Sequence, residues 1–471
     1  MNRYILSFGL VLCIALTSSC SLAPVSKRPK VDIPQTYKEN NGKWLRADTK
    51  IANNLRGAWW EIYKDKDLNI LEAKIAVSNN NLKAAVARYY ESSALADQAR
   101  AQYFPMVTLG AGAQRAGISK TTSILISPSS YNDFLLGGYL SYEIDIWGKV
   151  RNMVKSATAQ AKASAADLAF MDVSLHAELA MNYFALRGDD ASQIVLDKIV
   201  NILEKELRLI KARHVGGIVA EADVEQAKVQ LQNAKTQAAD MHIKRAQLEH
   251  AIAVLVGEVP SGFSIEAKKT RADIPTPEVP AISSTLLEKR PDIAASCLRV
   301  EAANANIGVA RAAYFPDFTF NTSMGVETSL LKKLIFAPSL IWSFGPLASA
   351  PLFEGGRIRA LNKQARAAYD EAVANYRQTV LTAFQEVEDG LVATRQLERE
   401  DMIQRAALRA ARRVLAQAIY RYDGGIATPI EVITAQNAEL QSEMASINIT
   451  TSRLATSALL VKALGGGWHA D

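Results

Sequence analysis

The sequence predicts a mainly α-helical chain carrying two pairs of β-strands, one helix–strand–strand–helix–helix unit written twice. Three observations predict it. Signals along the first half return in the same order in the second. Two segments, 149–213 and 357–421, run without proline and with one glycine each. Short stretches between the helical segments alternate apolar with polar or small residues, the period of a strand with two unlike faces.

At the N-terminus, Arg3 precedes an apolar run over residues 5–16 and then Thr17-Ser18-Ser19-Cys20. The run is too short to span a bilayer as a stable anchor and has the form of a bacterial signal peptide, 1–19. Small residues leading into a cysteine form a lipobox-like pattern, so Cys20 is expected to carry covalent lipid as the first mature residue. Ser21 after it favours sorting to the outer membrane. An ordinary signal peptide with an incidental cysteine is the alternative. Cys13 leaves with the leader and Cys297 then stands alone, so no disulfide framework is expected.

Residues 20–66 form an N-terminal segment, followed by repeat 1 over 67–274. Its elements are a helix (about 68–100), strands (about 103–118 and 132–147), a long helix (about 148–213) and a last helix (about 221–257). Pro275, Pro277 and Pro280 mark a linker, 275–282. Repeat 2, 283–463, has a helix to about 312, strands (about 314–328 and 339–353), a long helix (about 356–421) and a last helix (about 428–463), with a tail over 464–471. The repetition rests on three pairs of signals. Ala99-Arg100-Ala101-Gln102-Tyr103-Phe104-Pro105 returns as Ala310-Arg311-Ala312-Ala313-Tyr314-Phe315-Pro316; Gly148-Lys149-Val150-Arg151 as Gly356-Arg357-Ile358-Arg359; and Arg213-His214-Val215-Gly216-Gly217-Ile218 as Arg421-Tyr422-Asp423-Gly424-Gly425-Ile426.

A 65-residue helix extends about 100 Å, far beyond the length of an ordinary globular helix. Val373, Tyr376, Val380, Phe384, Val387 and Leu391 give it a packing stripe, so the long helices belong in a coiled-coil-like array. The two shorter helices of each half, stacked end to end, can run beside the long one.

In the strands, Phe134, Leu136, Leu140, Tyr142, Ile144 and Ile146 alternate with Leu135, Tyr139, Ser141, Glu143 and Asp145. Phe318, Phe320, Met324 and Val326 alternate with Thr319, Asn321, Ser323 and Glu327. Such segments fit the strands of a transmembrane barrel; a soluble half-buried sheet is the other reading. Four strands cannot close a barrel, and hydrocarbon does not tolerate an open sheet edge, so several chains must contribute to one barrel.

Net charge is +6 with both signs mixed, and no basic tail or aromatic-interleaved basic patch points to nucleic acid. Apolar residues make up 49 % and aromatics 7 %. The five histidines have no metal-ligand spacing, and no phosphate loop, nucleophile elbow or Cys-x-x-Cys occurs. No catalytic, metal or cofactor residues are assigned, and an enzyme is not expected. Arg405, Arg409, Arg412 and Arg413 form a basic stripe, the usual mark of a solvated or salt-bridged face.

The repeated residues carry a resemblance. Trp59-Trp60, Asp67-Leu68, Tyr142-Glu143-Ile144-Asp145 with Trp147-Gly148-Lys149, Arg290-Pro291-Asp292-Ile293, Gly308-Val309-Ala310-Arg311, Tyr314-Phe315-Pro316 and Ala463-Leu464-Gly465-Gly466-Gly467-Trp468 resemble the TolC-like outer-membrane factors, in particular their NodT-type efflux lipoproteins. The resemblance implies a homotrimer whose twelve strands, four per chain, form an outer-membrane β-barrel continuous with a long periplasmic α-helical barrel. It implies a passive exit duct for drugs or other small toxic compounds in a Gram-negative bacterium. Its implied partners are a periplasmic adaptor, an inner-membrane transporter of the resistance-nodulation-division type, and outer-membrane lipid. In that family the two glycine turns, Arg213, Gly216, Gly217 and Ile218 with Arg421, Gly424, Gly425 and Ile426, meet the adaptor. The residues after the second turn carry the periplasmic gate: Ile430 falls on its apolar ring, Thr434 where relatives carry an aspartate and Asn437 where some carry an arginine. Glu431 lies beside them, although a first-turn acid stabilising a helix N-terminus is a readier reading of it than a gate residue. The competing functions are the outer-membrane channel of a type I protein secretion system and a structural coiled-coil lipoprotein tethering envelope layers.

Overall fold

A computed structural model of the chain describes residues 21–25, 27–31, 37–38, 57–117, 119, 130–268, 290–466 and 468. The expected leader, lipidated Cys20 and the 275–282 linker lie outside the described residues. A 3₁₀ turn, Trp59–Tyr63, precedes α1 (Lys66–Ser78), α2 (Asn80–Ala101), β1 (Met106–Gly117), β2 (Ser130–Ile144), α3 (Lys149–Val215) and α4 (Glu221–Leu255). The second copy has α5 (Pro291–Ala312), β3 (Asp317–Thr328), β4 (Leu340–Ser349), α6 (Arg357–Asp423) and α7 (Pro429–Ala463). The long helices α3 and α6 have 67 residues each and lie at an offset of 208, from 149 to 357; α4 and α7 have 35 each at the same offset. For α2 and α5, and for β1 and β3, the offset is 211. The second copy is therefore three residues shorter between the start of its first strand and the start of its long helix. Among the described residues no helix is long and apolar enough to cross a membrane.

The elements divide into two compact units. The first gathers Met1–Lys30, Arg88–Ala165 and Ala295–Arg377; the second gathers Val31–Ala87, Ala166–Ala294 and Gln378–Asp471. In the first unit the strands make an antiparallel meander, β1-β2-β3-β4. Its corners explain why the strands are shorter than the sequence suggests. Strand β2 stops at Ile144, not 147, because Asp145 accepts from the amides of Val150 (3.1 Å) and Arg151 (2.9 Å) and so caps α3. Gly148 takes φ +75° to make that corner. Trp147 stacks on Phe315 and donates its indole N–H to the carbonyl of Pro316 at 2.8 Å. The Tyr-Phe-Pro signals close helices rather than open strands: Tyr103 and Tyr314 donate backward to Arg100 and Arg311. Strand β4 ends at Ser349, short of 353, and Glu354 then accepts from the Ile358 amide at 2.7 Å at the start of α6.

In the second unit the helix expected over 68–100 is two helices. Asn79 breaks it with an extended ψ of 122°. Its side chain donates to the Leu255 carbonyl at 2.7 Å and accepts from the Leu82 amide at 2.9 Å, capping α2. Helix α4 therefore ends against the α1–α2 junction. Gly257, at φ +73°, closes α4, and a Cβ there would lie 2.4 Å from the Ser78 carbonyl oxygen. The end of α7 is held in an equivalent place, its Ala463 carbonyl accepting from Arg290 at 3.0 Å, one residue before α5. Arg290 also pairs with Glu386 and Asp292, both at 2.6 Å, which gives the Arg-Pro-Asp signal its role.

The core of this unit is built from Trp59, Tyr63, Leu68, Ile75, Leu179, Tyr183, Phe184, Ile252, Ala458 and Val461. On the packing stripe of α6, Tyr376, Val380, Val387 and Leu391 are buried, and Val373 and Phe384 are partly so. Asp65 caps α1 and accepts from the Tyr183 hydroxyl at 2.8 Å. Arg187, 6 % exposed, bonds Asp67 (3.1 Å), Asp190 (3.0 Å) and the Glu266 carbonyl (2.8 Å). Fully buried Glu72 lies 2.6 Å from His176 Nδ1; Asp172 faces the other ring nitrogen at 3.5 Å, and Trp60 stacks on the imidazole at 4.2 Å.

Burial pushes the Glu72 carboxyl up to about 7, against the pull of His176. For His176, burial acts downward, but the hydrogen bonds and charges of Asp172 and Glu72 outweigh it and raise the ring to about 9. Both groups hold protons more tightly in the folded chain, whichever atom carries them. The associated stability is complete below their unfolded values of 4.5 and 6.5. It is lost as pH rises through about 7 for Glu72 and about 9 for His176. The thermal midpoint is expected to fall by a few degrees between mildly acidic buffer and pH 9, and E72Q is expected to flatten that slope in a melting series.

Candidate functional site

Two features carry function-bearing residues: a pair of helix-hairpin turns in the second unit and the two faces of the sheet in the first.

Each hairpin turn is a Schellman motif. Gly217 sits at φ +74°, with Ile218 donating to Arg213 (2.9 Å) and Gly217 to His214 (2.8 Å). Gly425 sits at φ +73°, with Ile426 donating to Arg421 (2.8 Å) and Gly425 to Tyr422 (2.9 Å). Only the second glycine of each pair needs the left-handed region. A Cβ on Gly216 or Gly424 would meet ordinary contacts at 3.5 Å. The start of the next helix is also repeated: Asp223 accepts from the Ala220 amide at 3.1 Å, and Glu431 from the Thr428 amide at 3.2 Å.

The turns present Val215, Ile218, Tyr420 and Ile426 to solvent, each more than 70 % exposed. Arg213 lies over the ring of Tyr422 at 5.2 Å, joining one hairpin to the other. Beneath them Ile210, Val224, Ala227 and Ile433 form a small apolar cluster. Ile430, half exposed in the first turn of α7, borders a hollow of about 220 Å³ with Val219, Gln226, Gln230, Ile433 and Thr434. Thr434 donates its hydroxyl to the Ile430 carbonyl at 2.8 Å, so it serves its own helix. Glu431 both starts the helix and pairs with Arg421 at 3.4 Å. Arg421 and Glu431, separate in the sequence, are thus brought together by the fold, and Tyr422, opposite His214 in the repeat, joins them as a functional residue with no motif of its own. In the arginine stripe, Arg405 pairs with Asp401 (2.9 Å) and Arg412 with Glu439 (3.2 Å) and Glu443 (3.4 Å), an ion-paired face.

The sheet register sorts most of its side chains by polarity, with Arg115, Asn132 and Thr322 on the otherwise apolar side and Leu135, Ile341 and Leu347 on the other. Leu109 pairs with Gly138, Gly138 with Met324 and Met324 with Trp342; Leu140 pairs with Thr322 and Thr322 with Phe344; Tyr142 pairs with Phe320 and Phe320 with Pro346. Directly paired residues share a face, so Val107, Leu109, Phe134, Leu136, Leu140, Phe318, Phe320, Met324, Val326, Leu340, Trp342 and Phe344 all lie on one side. The opposite side carries Thr108, Gln114, Asp133, Ser141, Glu143, Asp317, Asn321, Ser323, Glu327 and Ser343. Trp342 and Phe344 are more than 70 % exposed, with no layer over them among the described residues. Across the polar side runs a glycine row, Gly110–Gly137–Gly325, continued on β4 by Ile341. A Cβ on Gly325 would lie 2.5 Å from the Leu136 carbonyl oxygen.

A sheet with one mainly apolar face is thus joined to 67-residue helices in a duplicated chain. The model of the family described as outer membrane efflux protein matches residues 73–258 and again 282–466, one match on each copy of the repeat. The chain belongs to the outer membrane efflux protein family. Its efflux relatives include the toluene efflux pump outer membrane protein TtgF of Pseudomonas putida, 30 % identical over 98 % of this chain and 96 % of that protein. The outer membrane protein OprJ of Pseudomonas aeruginosa is 29 % identical over 98 % and 96 %. Among solved structures, the outer membrane channel CmeC of Campylobacter jejuni aligns at TM-score 0.89 and 26 % identity over 96 % of both chains. The open state of the MtrE outer membrane channel of Neisseria gonorrhoeae aligns at 0.84 and 25 % over 95 % and 98 %. Efflux at the outer membrane is therefore the class of this family member, and its relatives are channels rather than enzymes.

The turn geometry separates the paired glycines. G217A and G425A are each expected to cost about 1–2 kcal/mol by forcing an alanine into the left-handed region. G216A and G424A are expected to be near neutral. Hydrogen exchange at the turn amides checks the contrast.

Proposed function

We propose that this efflux protein works as a homotrimer in which twelve strands close one outer-membrane barrel and the long helices line a periplasmic tunnel. The assembly is a passive exit duct for drugs and other small toxic compounds, without catalytic chemistry of its own. Cys20 carries the lipid that tethers it. The glycine turns around Gly217 and Gly425 meet a periplasmic adaptor, and an inner-membrane transporter of the resistance-nodulation-division type supplies the energy. The observation that carries this reading is the sheet: one face is mainly apolar over all four strands, with Thr322 in its middle and Arg115 and Asn132 only toward the end away from the helices, while among the described residues β1 and β4 each pair on one side only. In hydrocarbon an unpaired edge costs several kcal/mol per orphaned group, which copies of the same sheet relieve by pairing β1 of one with β4 of the next. That bare face also weighs against a merely structural tether, which needs no lipid-facing strands.

Ile430 forms the apolar constriction of the gate. A ring of such side chains blocks flow by dewetting, and the Arg421–Glu431 pair holds the start of α7 in place.

Planar-bilayer recording on the purified protein, with its mass taken in detergent, tests the reading. A conducting trimer is expected; a water-soluble monomer that gives no conductance overturns it. I430A is expected to raise single-channel conductance, and an unchanged conductance removes Ile430 from the gate.

A further inference from the structure

The turn joining β3 to β4, Ser329–Ser339, contains two lysines, Lys332 and Lys333, and no acidic residue. It is built from two 3₁₀ turns, Leu331–Lys333 and Ala337–Ser339, held by Lys333 donating to the Leu330 carbonyl (2.8 Å) and the Ser339 hydroxyl to the Lys333 carbonyl (2.9 Å). Despite that order it buries little of its apolar content: Leu331, Ile335 and Phe336 are 62, 95 and 63 % exposed. Both lysines are exposed, and neither is ion-paired among the described residues.

Three features make this an interfacial surface. It continues the apolar face of the sheet, whose nearest rows are Val326 with Leu340 and Met324 with Trp342. Trp342 is the side chain type that settles at a bilayer–water boundary. Large apolar residues beside unpaired lysines match a layer with acyl chains below and phosphates above. Its level is given by topology: all four strands join helices at their other ends, and this turn closes the opposite end of the meander.

We propose that the β3–β4 turn docks onto lipid A of the outer leaflet, Lys332 and Lys333 binding its phosphate groups while Leu331, Ile335 and Phe336 enter the acyl layer. This rests on the reading that the sheet spans the outer membrane with its helix-joined ends toward the periplasm. In the trimer it supplies three such points, one per chain, which fix the height of the barrel in the bilayer.

The test uses the full-length protein in lipid nanodiscs, with lipid A retention read by native mass spectrometry. Two lysines near an anionic surface account for on the order of a twentyfold difference, so K332A/K333A is expected to retain lipid A about that much more weakly. K332R/K333R is expected to bind as the wild type does, and lipid A stripped of its phosphates is expected to erase the difference. Equal retention by the alanine variant, or preference of the wild type for phosphatidylglycerol, overturns the docking surface. Single-channel conductance of the same samples separates the two readings. Conducting protein with lysine-independent lipid binding removes only the lipid A contact, whereas wild-type protein that never conducts removes the membrane-spanning reading and this one with it.

Discussion

Backbone hydrogen bonding at the sheet edge governs everything else in this protein. Each residue carries a donor and an acceptor that water would satisfy at an ordinary edge. The face carrying Leu109, Leu140, Phe320, Met324 and Trp342 is largely exposed, and among the described residues it has no layer to pack on. Once that face meets lipid, the outer edges of β1 and β4 have one kind of partner that fits their register and length, each other in a neighbouring copy. In the proposed barrel, assembly thus follows from the strands, and the helices have only to tolerate it.

The duplication gives each chain two versions of one hairpin, and they have diverged. Their backbones coincide down to the Schellman bonds and the acid reaching back from the third helical position. Their side chains do not. The first hairpin reaches across with Arg213 to Tyr422, whereas the second pairs Arg421 with Glu431 of its own helix start, both at the surface.

Much of this was legible in the sequence because the signals are local. Proline-free length gave the long helices, period-two alternation gave the two sheet faces, and Gly-Gly gave the turns. What escaped depends on distant contacts. Ser78-Asn79-Asn80-Asn81 is a local capping signal masked by the helical period on both sides of it; what the chain does not show locally is that Asn79 also donates to the Leu255 carbonyl, far along the sequence. Ile146 and Trp147 continue the alternation of β2, yet Asp145 spends its carboxylate on the amides of α3 and ends the strand. Glu72 and His176 look like members of ordinary helical faces until the fold buries them together. The family signals were recognisable before their reasons were: Arg290 holds the end of α7, and Trp60 covers His176.

The glycine row has a consequence for the bore. In the proposed barrel the polar side lines the lumen, and the row Gly110, Gly137 and Gly325 adds no side chain of its own at that level. Its backbone is not open, because the Tyr139 ring lies over Gly110 and Gly137 is buried, and no side chain can be added at Gly325 without displacing β2. What a solute meets at this height is then the ring of Tyr139 and, on β4, Ile341.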